Sequence, residues 1–324
     1  MTLVLVAVLC GAVVWLAALA YRRVWARFDQ RGRVPTGFGA LLAPALLIAA
    51  WWGGASKEMV LALSAATAAS LIYWIDDARE MSARARVAIA AITGLAIGAF
   101  YFLNADFAPF VVIALVALAA LVHLALVNTI NMQDGADLNL STFVLLTAVL
   151  LLAYSNGSTD WTMTATACLA FTLPFAILNR RPRTIYFGDS GSFAFAVLFT
   201  IMGAAFLTGG APPPEAAIPA GLPLVDMVFV TAHRIRIRQK FTVRHYFHLY
   251  QRLQSSQPGF LYLAPQVISV VLTLGLAYLL KAMGVDRFVS VTVAIAVVSF
   301  VVFWAGHRFF VTTEPGPPPP ARAP

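Results

Sequence analysis

The sequence has few charged residues. Only 11% of its 324 residues are Asp, Glu, Lys or Arg, whereas 60% are hydrophobic. Soluble domains carry about 25% charged and about 45–50% apolar residues. The scarcity of charge therefore excludes an ordinary soluble protein and indicates a polytopic membrane protein. The net charge of +8 does not indicate a nucleic-acid-binding protein, because the basic residues fall in short loops between apolar runs.

Cysteine is also scarce. Cys10 and Cys168 are the only two cysteines, and each lies inside an apolar run. This excludes a disulfide framework and a cysteine-based metal site. The first apolar run, 2–20, is followed and not preceded by its positive charges, Arg22 and Arg23. Because a cleaved signal peptide has the reverse order, we expect this run to be a retained first span with the N-terminus outside.

Long apolar runs dominate what is present. A span needs about 20 apolar residues, or somewhat fewer when it uses interfacial flanks. Eleven segments qualify: 2–20, 38–53, 58–75, 87–103, 108–127, 140–154, 161–178, 192–208, 216–232, 260–280 and 288–306. The predicted fold is therefore all-α, a polytopic transmembrane helix bundle of about 11 spans. We expect one integral-membrane domain over 1–310 and a Pro-rich, disordered tail over 311–324.

The basic residues orient this bundle. Of the 22 Lys and Arg, all but Lys57, Lys281 and Arg287 fall on one side of the predicted topology. Cytoplasmic loops are enriched in Lys and Arg. This asymmetry therefore predicts a multi-pass protein whose C-terminus is cytoplasmic, and we expect its membrane to be the cell inner (plasma) membrane.

Four polar clusters interrupt the apolar sequence, and all four fall on the predicted cytoplasmic side. They are Asp76-Asp77, Asn128 to Asp137, Tyr186 to Ser192, and the basic stretch His233 to Arg252. A charged residue at mid-bilayer costs about 2.5–3.5 kcal/mol on insertion scales. The concentration of carboxylates at one face therefore indicates an active site for a phosphate-bearing substrate and a divalent cation.

The first cluster is the pair Asp76-Asp77, which follows an apolar run. Adjacent carboxylates repel, and keeping both ionised requires a cation, basic neighbours or good solvation. The pair is thus a candidate metal site, and a solvated loop after a helix is the alternative interpretation.

The second cluster combines amides with acids. Asn128 and Asn131 are spaced to share a helix face. Gly135 permits a turn that directs both Asp134 and Asp137 toward one pocket. A capped helix–turn–helix is the alternative, because Asp and Asn are also common caps.

The third cluster follows Asn179 and three arginines. Asp189 suits a hard cation, because Mg²⁺ commonly uses one or two carboxylates plus substrate phosphates. We expect Ser190 and Ser192 to cap the following helix, whose N-terminus suits an anion.

The fourth cluster contains six Lys and Arg. These suit the diphosphate of a nucleotide sugar or the phosphate of a lipid, and an anchor to anionic head groups is the alternative. His245 and His248 are spaced to share a helix face, but a zinc pair there lacks further ligands. Asp226, inside an apolar run, is a functional candidate, and structural pairing with Arg234 is its alternative.

These clusters, in this order, resemble the polyprenyl-phosphate N-acetylhexosamine-1-phosphate transferases, the superfamily of MraY- and WecA-like enzymes. The matching motifs are Pro35-Thr36-Gly-Phe-Gly39 with Arg31 and Arg33 beside it, Asp76-Asp77, Asn128 to Asp137, Asn179 with Tyr186 to Ser192, Pro223 with Asp226, and His245 to Gln251. The last motif is more similar to the WbpL-like branch, which initiates O-antigen synthesis. Two segments depart from the usual pattern of the superfamily, Asp137-Leu138-Asn139 and Phe38-Gly39. These departures bear on which sugar is selected more than on the type of reaction.

The resemblance implies transfer of a sugar-1-phosphate from a UDP-sugar to polyprenyl (undecaprenyl) phosphate, with Mg²⁺ (or Mn²⁺) as cofactor. It implies catalytic roles for Asp76, Asp77, Asp189, His245 and His248, of which the three aspartates would hold the metal. It implies substrate-binding roles for Arg31, Arg33, Asn128, Asn131, Asp134, Asp137, Asn179, Tyr186 and Arg244. The implied partners are the UDP-sugar, polyprenyl phosphate and membrane lipid; a homodimer is compatible with the resemblance, and nucleic acid is not expected.

A transporter or flippase for a phosphorylated metabolite or lipid is the alternative from another class. It would also use membrane acids and cytoplasmic arginines. However, it should place carboxylates near the bilayer midplane and show broken helices with repeat symmetry. The acids here cluster at one face, which favours chemistry at the interface. A membrane scaffold would leave the carboxylates unexplained.

Overall fold

The computed structural model describes residues 2–28, 34–79, 81–180, 185–210, 212–240, 245–257 and 259–311. Across these ranges the regular structure is entirely helical, as predicted. The α-helices are α1 (Thr2–Phe28), α2 (Leu42–Trp52), α3 (Lys57–Ala78), α4 (Ala83–Phe102), α5 (Pro109–Asn131), α6 (Asn139–Tyr154), α7 (Thr159–Asn179), α8 (Gly188–Leu207), α9 (Gly221–Arg236), α10 (Leu249–Ser256), α11 (Ala264–Ala282) and α12 (Arg287–Ala305). Short 3₁₀ turns include Phe38–Leu41 before α2 and Met132–Gly135 after α5.

The helices are those of a membrane protein. Within the described ranges, nine helical segments are long and apolar enough to cross a membrane. Two shorter apolar helical segments are Phe38–Trp52 and Asn139–Tyr154. Together they account for all eleven predicted apolar segments, so the predicted helical membrane bundle is confirmed. The orientation of the termini stays a prediction.

The chain divides into two compact units. Unit 1, Met1–Pro213, contains α1 to α8, and unit 2, Pro214–Pro324, contains α9 to α12. A single membrane domain over 1–310 stays a prediction. Residues 312–324, which form nearly all of the predicted tail, lie outside the described residues.

Local sequence explains where several helices begin. The Ser56 and Ser82 hydroxyls each accept a hydrogen bond at 3.2 Å from the backbone N–H three residues later, at the starts of α3 and α4. In unit 2, the Asp286 carboxylate accepts from two N–H groups of α12. Such caps satisfy N–H groups that have no partner within the first helical turn.

Helix α8 is the centre of unit 1. Sixteen of its 20 residues are buried, and it packs against α2, α3, α4 and α5. Aromatic rings contribute to this packing: Phe193 of α8 stacks on Tyr73 of α3 with centroids 4.4 Å apart and meets His123 of α5 at 5.3 Å. The first turn of α8 is thereby held in a fixed place among its neighbours.

Two glycines bring α4 and α5 close together. An added Cβ at Gly94 would lie 2.7 Å from the Cα of Ala120, and one at Gly98 would lie 2.9 Å from the Cα of Val116. Small residues four positions apart let membrane helices approach at backbone distance. The approach packs the middle of α4 against the middle of α5, and both helices also carry residues of the candidate site.

Candidate active site

One end of unit 1 gathers three of the predicted polar clusters. Asp76 and Asp77 lie in the last turn of α3, Asn131 ends α5, Asn179 ends α7, and Asp189 lies in the first turn of α8. The bundle thus brings together residues separated by more than 100 positions in the chain. These side chains lie at helix ends and not at helix centres.

The Asp77 carboxylate sits on the N-terminus of α8. Its Oδ1 accepts a hydrogen bond from the N–H of Asp189 at 2.9 Å. Its Oδ2 accepts from the N–H of Ser190 at 3.1 Å and from the Ser190 hydroxyl at 2.7 Å. Asp134 completes the arrangement, because its Oδ2 accepts from the N–H of Gly188 at 3.0 Å. Two carboxylates from elsewhere in the chain therefore bind the first three N–H groups of α8, where negative charge is favoured.

This arrangement differs from the one expected for Ser190 and Ser192. Both serines lie inside α8, and the N-cap residue, Phe187, makes no capping hydrogen bond with its side chain. The Ser192 hydroxyl donates to the carbonyl of Gly188 at 3.3 Å. The prediction that these serines cap α8 is therefore wrong, and the N–H groups expected to bind an anion are already bound. A carboxylate forms stronger hydrogen bonds than a hydroxyl does, which explains why acids occupy this position.

Two glycine-containing segments meet at the start of α8. The N–H of Gly39 donates to the carbonyl of Phe187 at 2.9 Å, and the N–H of Tyr186 donates to the carbonyl of Pro35 at 2.7 Å. The ring of Phe187 packs edge to face on Phe175 with centroids 4.9 Å apart. The motif at 35–39 is thus a structural support for the motif at 186–192.

Gly188 has no room for a side chain. Its φ is +82°, a conformation that L side chains rarely adopt. An added Cβ would lie 2.6 and 2.7 Å from the two oxygens of Asp77 and 2.5 Å from the N of Gly37. Glycine at this position is what allows the carboxylate to reach the helix.

Asp76 and Asp189 both face the guanidinium of Arg86. Arg86 donates through Nη1 to Oδ2 of Asp189 at 3.3 Å, and its Nε lies 3.6 Å from Oδ2 of Asp76. Asp76 is 5% exposed, and its Oδ1 accepts from the N–H of Met81. Its Oδ2 is buried without a hydrogen bond to any residue that the structure describes. The side chain of Asp189 is 30% exposed and is hydrogen-bonded by Asn131.

Arg86 lies outside the sequence motifs, although its position in the chain carries a signal. It lies near the start of α4, where the helix dipole disfavours positive charge. A basic side chain in such a place indicates a partner outside its own helix, and here the partners are the two carboxylates.

The acidic side chains fit a divalent cation. Carboxylate and amide oxygens are suitable ligands for Mg²⁺ and Mn²⁺. Within the described part of the chain, no three His, Cys, Asp or Glu side chains form a group that could hold a metal ion. Mg²⁺ does not need such a group, because it commonly binds one or two carboxylates plus substrate phosphates. The partly exposed Asp189 and the unbonded Oδ2 of Asp76 suit a cation of this kind.

The two asparagines of α5 have different surroundings. Asn131 is half-buried and bonded to Asp189, whereas Asn128 is exposed. The Asn128 amide donates to the carbonyl of Leu124 within its own helix at 2.7 Å. The predicted shared face therefore brings only Asn131 to Asp189.

Asn179 joins two loops beside the site. Its Oδ1 accepts from the N–H of Leu138 at 2.8 Å, and its Nδ2 donates to the carbonyl of Ile185 at 3.0 Å. It is 4% exposed, and Asp137, in the loop that it holds, is 1% exposed. Tyr186 is half-buried at the start of the third cluster. Three other predicted substrate-binding residues, Arg31, Arg33 and Arg244, lie outside the described residues.

In unit 2, Asp226 orients His248. Nδ1 of His248 lies 2.8 Å from Oδ2 of Asp226, whose Oδ1 accepts from the N–H of Leu249 at 3.1 Å. Both side chains are buried, at 2% and 3% exposure. Because an ionised carboxylate only accepts hydrogen bonds, Nδ1 carries the proton, and in the neutral ring Nε2 is an acceptor. Pairing with Arg234 is the alternative interpretation of Asp226 from the sequence, whereas the structure shows a hydrogen bond between Asp226 and His248.

His245 lies beside this pair, with its ring centroid 5.1 Å from that of His248. Burial lowers the pKa of His245 to about 4, and the neighbouring His248 and Arg234 act in the same direction against a smaller opposing effect of Asp226. His245 is therefore neutral at pH 7 and can bind a substrate through hydrogen bonds but not through positive charge.

A cavity of about 460 Å³ lies at the opposite end of unit 1. Its lining includes Glu58 at the start of α3, Tyr101 near the end of α4, and Asp160 at the start of α7. Its lining, all within the described ranges, contains none of the residues predicted for the active site. The cavity is therefore distinct from the acidic cluster around α8.

The comparisons with known proteins point to one family. No curated protein matches the chain. A model of the family described as glycosyl transferase family 4 matches residues 59–206. This stretch is less than half of the 324 residues and lies within unit 1. The acidic site at the first turn of α8 therefore lies in a stretch that is similar to glycosyl transferase family 4.

Proposed function

We propose that the protein transfers an N-acetylhexosamine-1-phosphate from a UDP-sugar to polyprenyl (undecaprenyl) phosphate, giving polyprenyl-diphosphate-sugar and UMP. The observation that carries this proposal is the convergence of Asp76, Asp77, Asp134 and Asp189 at the first turn of α8. The glycosyl transferase family 4 match over the same residues supports it.

The placement of the acids supports an interfacial enzyme. They lie at the ends of α3 and α8, two segments long enough to cross a membrane. A lipid phosphate lies at the membrane surface and a nucleotide sugar comes from water, so the two substrates can meet only at such helix ends. A transporter would place its binding site near the midplane. We propose further that this end faces the cytoplasm and that the membrane is the inner membrane.

The proposed reaction is a phosphoryl transfer. A phosphate oxygen of polyprenyl phosphate attacks the phosphorus that bears the sugar, and the bond between that phosphorus and the oxygen of UMP breaks. A phosphate monoester is largely ionised near pH 7, so no strong base is needed. Catalysis then depends mainly on positioning and charge stabilisation. Mg²⁺, when bound, supplies neutralisation of the diphosphate oxygens.

The described residues have distinct roles in this scheme. Asp189 would hold the metal, with the Asn131 side chain beside it and Asp76 on the other side of Arg86. Arg86 carries a permanent positive charge between the two carboxylates, and it would turn to the diphosphate when the metal is bound.

Other roles stay predictions from the resemblance. Asn128, Asp137, Asn179 and Tyr186 would shape the nucleotide and sugar pocket. Arg31, Arg33 and Arg244 would bind phosphate groups, and His245 and His248 would contact the diphosphate or the sugar. The WbpL-like branch, and with it the initiation of O-antigen or another envelope glycan, rests on the histidine motif alone.

The test is UMP release by the purified protein in detergent. The assay contains undecaprenyl phosphate, Mg²⁺ and a panel of UDP-N-acetylhexosamines, with and without EDTA. UMP release that needs the lipid, the metal and one particular donor would establish the reaction and identify the sugar. Folded protein that releases no UMP from any donor would contradict the proposal.

A further inference from the structure

The three aspartates assigned to the metal differ in how the protein uses their oxygens. Asp77 accepts three hydrogen bonds, all from Asp189 and Ser190 in the first turn of α8. Asp76 has an Oδ2 without a hydrogen bond to any part of the described chain. Asp189 is partly exposed. Of the three, Asp77 therefore has its oxygens most fully committed to the protein.

The Asp77 carboxylate is also packed closely against two glycines. An added Cβ at Gly188 would lie within 2.7 Å of both of its oxygens, and one at Gly37 would lie 2.9 Å from Oδ2 and 3.0 Å from the Trp74 ring. The Ser190 hydroxyl donates to Oδ2 at 2.7 Å and lies 3.3 Å from the carbonyl oxygen of Gly37. Backbone and side-chain atoms therefore crowd both oxygens of Asp77 on the side that faces the first turn of α8, and the residue as a whole is half-buried.

The bonds to Asp77 include one from the backbone of Asp189 itself. Because Asp77 accepts hydrogen bonds from the N–H groups of Asp189 and Ser190, it fixes the backbone that carries the Asp189 side chain. Asp134 fixes the preceding residue, Gly188, in the same way. Reacting groups need accurate placement, and a displacement of about 1 Å can cost about 10²-fold in rate.

We infer that Asp77 is a positioning residue: together with Asp134 it fixes the first turn of α8, so that Asp189 faces the substrate, and it does not bind the metal ion itself. The inference rests on the proposed function, in which Asp189 holds the metal. It divides the adjacent acids by role, because Asp76 faces Arg86 whereas Asp77 faces the helix.

Direct metal binding separates the two roles without turnover. Mn²⁺ binding to the substrate-free protein in detergent is measured by electron paramagnetic resonance for the wild type, Asp77→Asn and Asp189→Asn. We expect Asp189→Asn to weaken binding by more than about tenfold. We expect Asp77→Asn to change it by less than about threefold, because the Asp189 side chain can still turn toward a free cation. Equal weakening in both variants would make Asp77 a ligand and overturn the inference, as would unchanged binding in Asp189→Asn.

Turnover supplies the second readout. With Mg²⁺ saturating, Asp77→Asn should lower kcat by more than about tenfold with little change in KM, because an amide N–H then opposes the donors of Ser190. Ser190→Ala should lower kcat by a smaller factor, and it should cause no further loss in the Asp77→Asn background. Losses that simply multiply, or an unchanged kcat in Asp77→Asn, would overturn the inference.

Ser190→Ala alone keeps the inference testable if Asp77→Asn does not yield a monodisperse protein. It removes one of the three bonds to Asp77 and changes no charge. A lower kcat with unchanged Mn²⁺ binding is expected, and an unchanged kcat would contradict the inference. An inactive wild type would contradict the proposed function, whereas the Mn²⁺ titration would still test the role of Asp77.

Discussion

His248 donates a hydrogen bond through Nδ1 to the carboxylate of Asp226 over 2.8 Å. Its other ring nitrogen, Nε2, is buried and forms no hydrogen bond to any residue in the described ranges. A carboxylate at one nitrogen fixes the tautomer and leaves the other nitrogen for a functional contact. Asp226 therefore makes Nε2 of His248 the hydrogen-bond acceptor of the histidine motif, which the spacing of His245 and His248 in the sequence does not indicate.

Replacing Asp226 should impair catalysis through His248. In Asp226→Asn the amide N–H can donate, so the ring adopts the other tautomer and Nε2 no longer accepts. By analogy with buried orienting carboxylates, we expect kcat to fall by more than about 10²-fold. UMP release by Asp226→Asn, His248→Ala and the double variant measures this. Because the two residues act as a unit, the double variant should lose little more than His248→Ala does; a multiplied loss would contradict the pairing.

Asp189→Asn should abolish turnover while the protein still inserts into the membrane. The change removes the charge of the proposed metal ligand and keeps the shape of the side chain. UMP release at increasing Mg²⁺ concentration checks this prediction, and monodisperse elution in detergent checks the fold. Activity near that of the wild type would remove Asp189 from the metal assignment.

Arg86→Gln should change metal binding and turnover in opposite directions. Without the guanidinium, Asp76 and Asp189 lose the positive charge between them, so a free cation should bind more tightly. Turnover should fall by more than about tenfold, because a charge that stabilises the diphosphate is lost. Arg84→Gln is the matched control, since Arg84 is exposed on the same helix. A loss of Mn²⁺ affinity in Arg86→Gln would contradict this role.

Two glycines of α8 should respond differently to alanine. Gly188→Ala forces a Cβ into a left-handed conformation, at a cost of about 1–2 kcal/mol, and against the oxygens of Asp77. Gly203 has open space around it, and Gly203→Ala should change stability by no more than about 1 kcal/mol. Thermal unfolding in detergent compares the two variants. Equal melting temperatures would show that the close approach of Asp77 to Gly188 is not maintained.

His245 should make stability depend on pH in the acidic range. Its pKa is about 4 in the folded protein and near 6.5 when unfolded. Between these values the unfolded chain binds a proton that the folded chain does not, so stability rises with pH from about 4 to about 6.5 and is flat above. Melting temperatures at pH 5 and 7 should therefore differ less in His245→Gln than in the wild type. An equal difference would contradict the lowered pKa.

The sequence predicted the helices well because hydrophobic length is a local property. All eleven apolar segments lie on helices, and Asp76, Asn131 and Asp189 meet at one helix end. The capping of α8 by Asp77 could not be predicted from the local sequence, because its hydrogen bonds join residues that are 112 and 113 positions apart. Asn128 does not meet Asp189 for a geometric reason: residues three apart on a helix differ in direction enough that one can face a partner and the other the surroundings.

Gly39 and Gly191 show how two distant motifs depend on each other. A Cβ on Gly39 would lie 2.4 Å from the Cα of Gly191, and a Cβ on Gly191 would lie 2.8 Å from the Cα of Gly39. Both residues are glycine, so no substitution at one of them can make room for a larger side chain at the other. A compensating second mutation is therefore not available at this contact. A substitution at either glycine would therefore have to be compensated by a change at some other position, and the two glycines are constrained together.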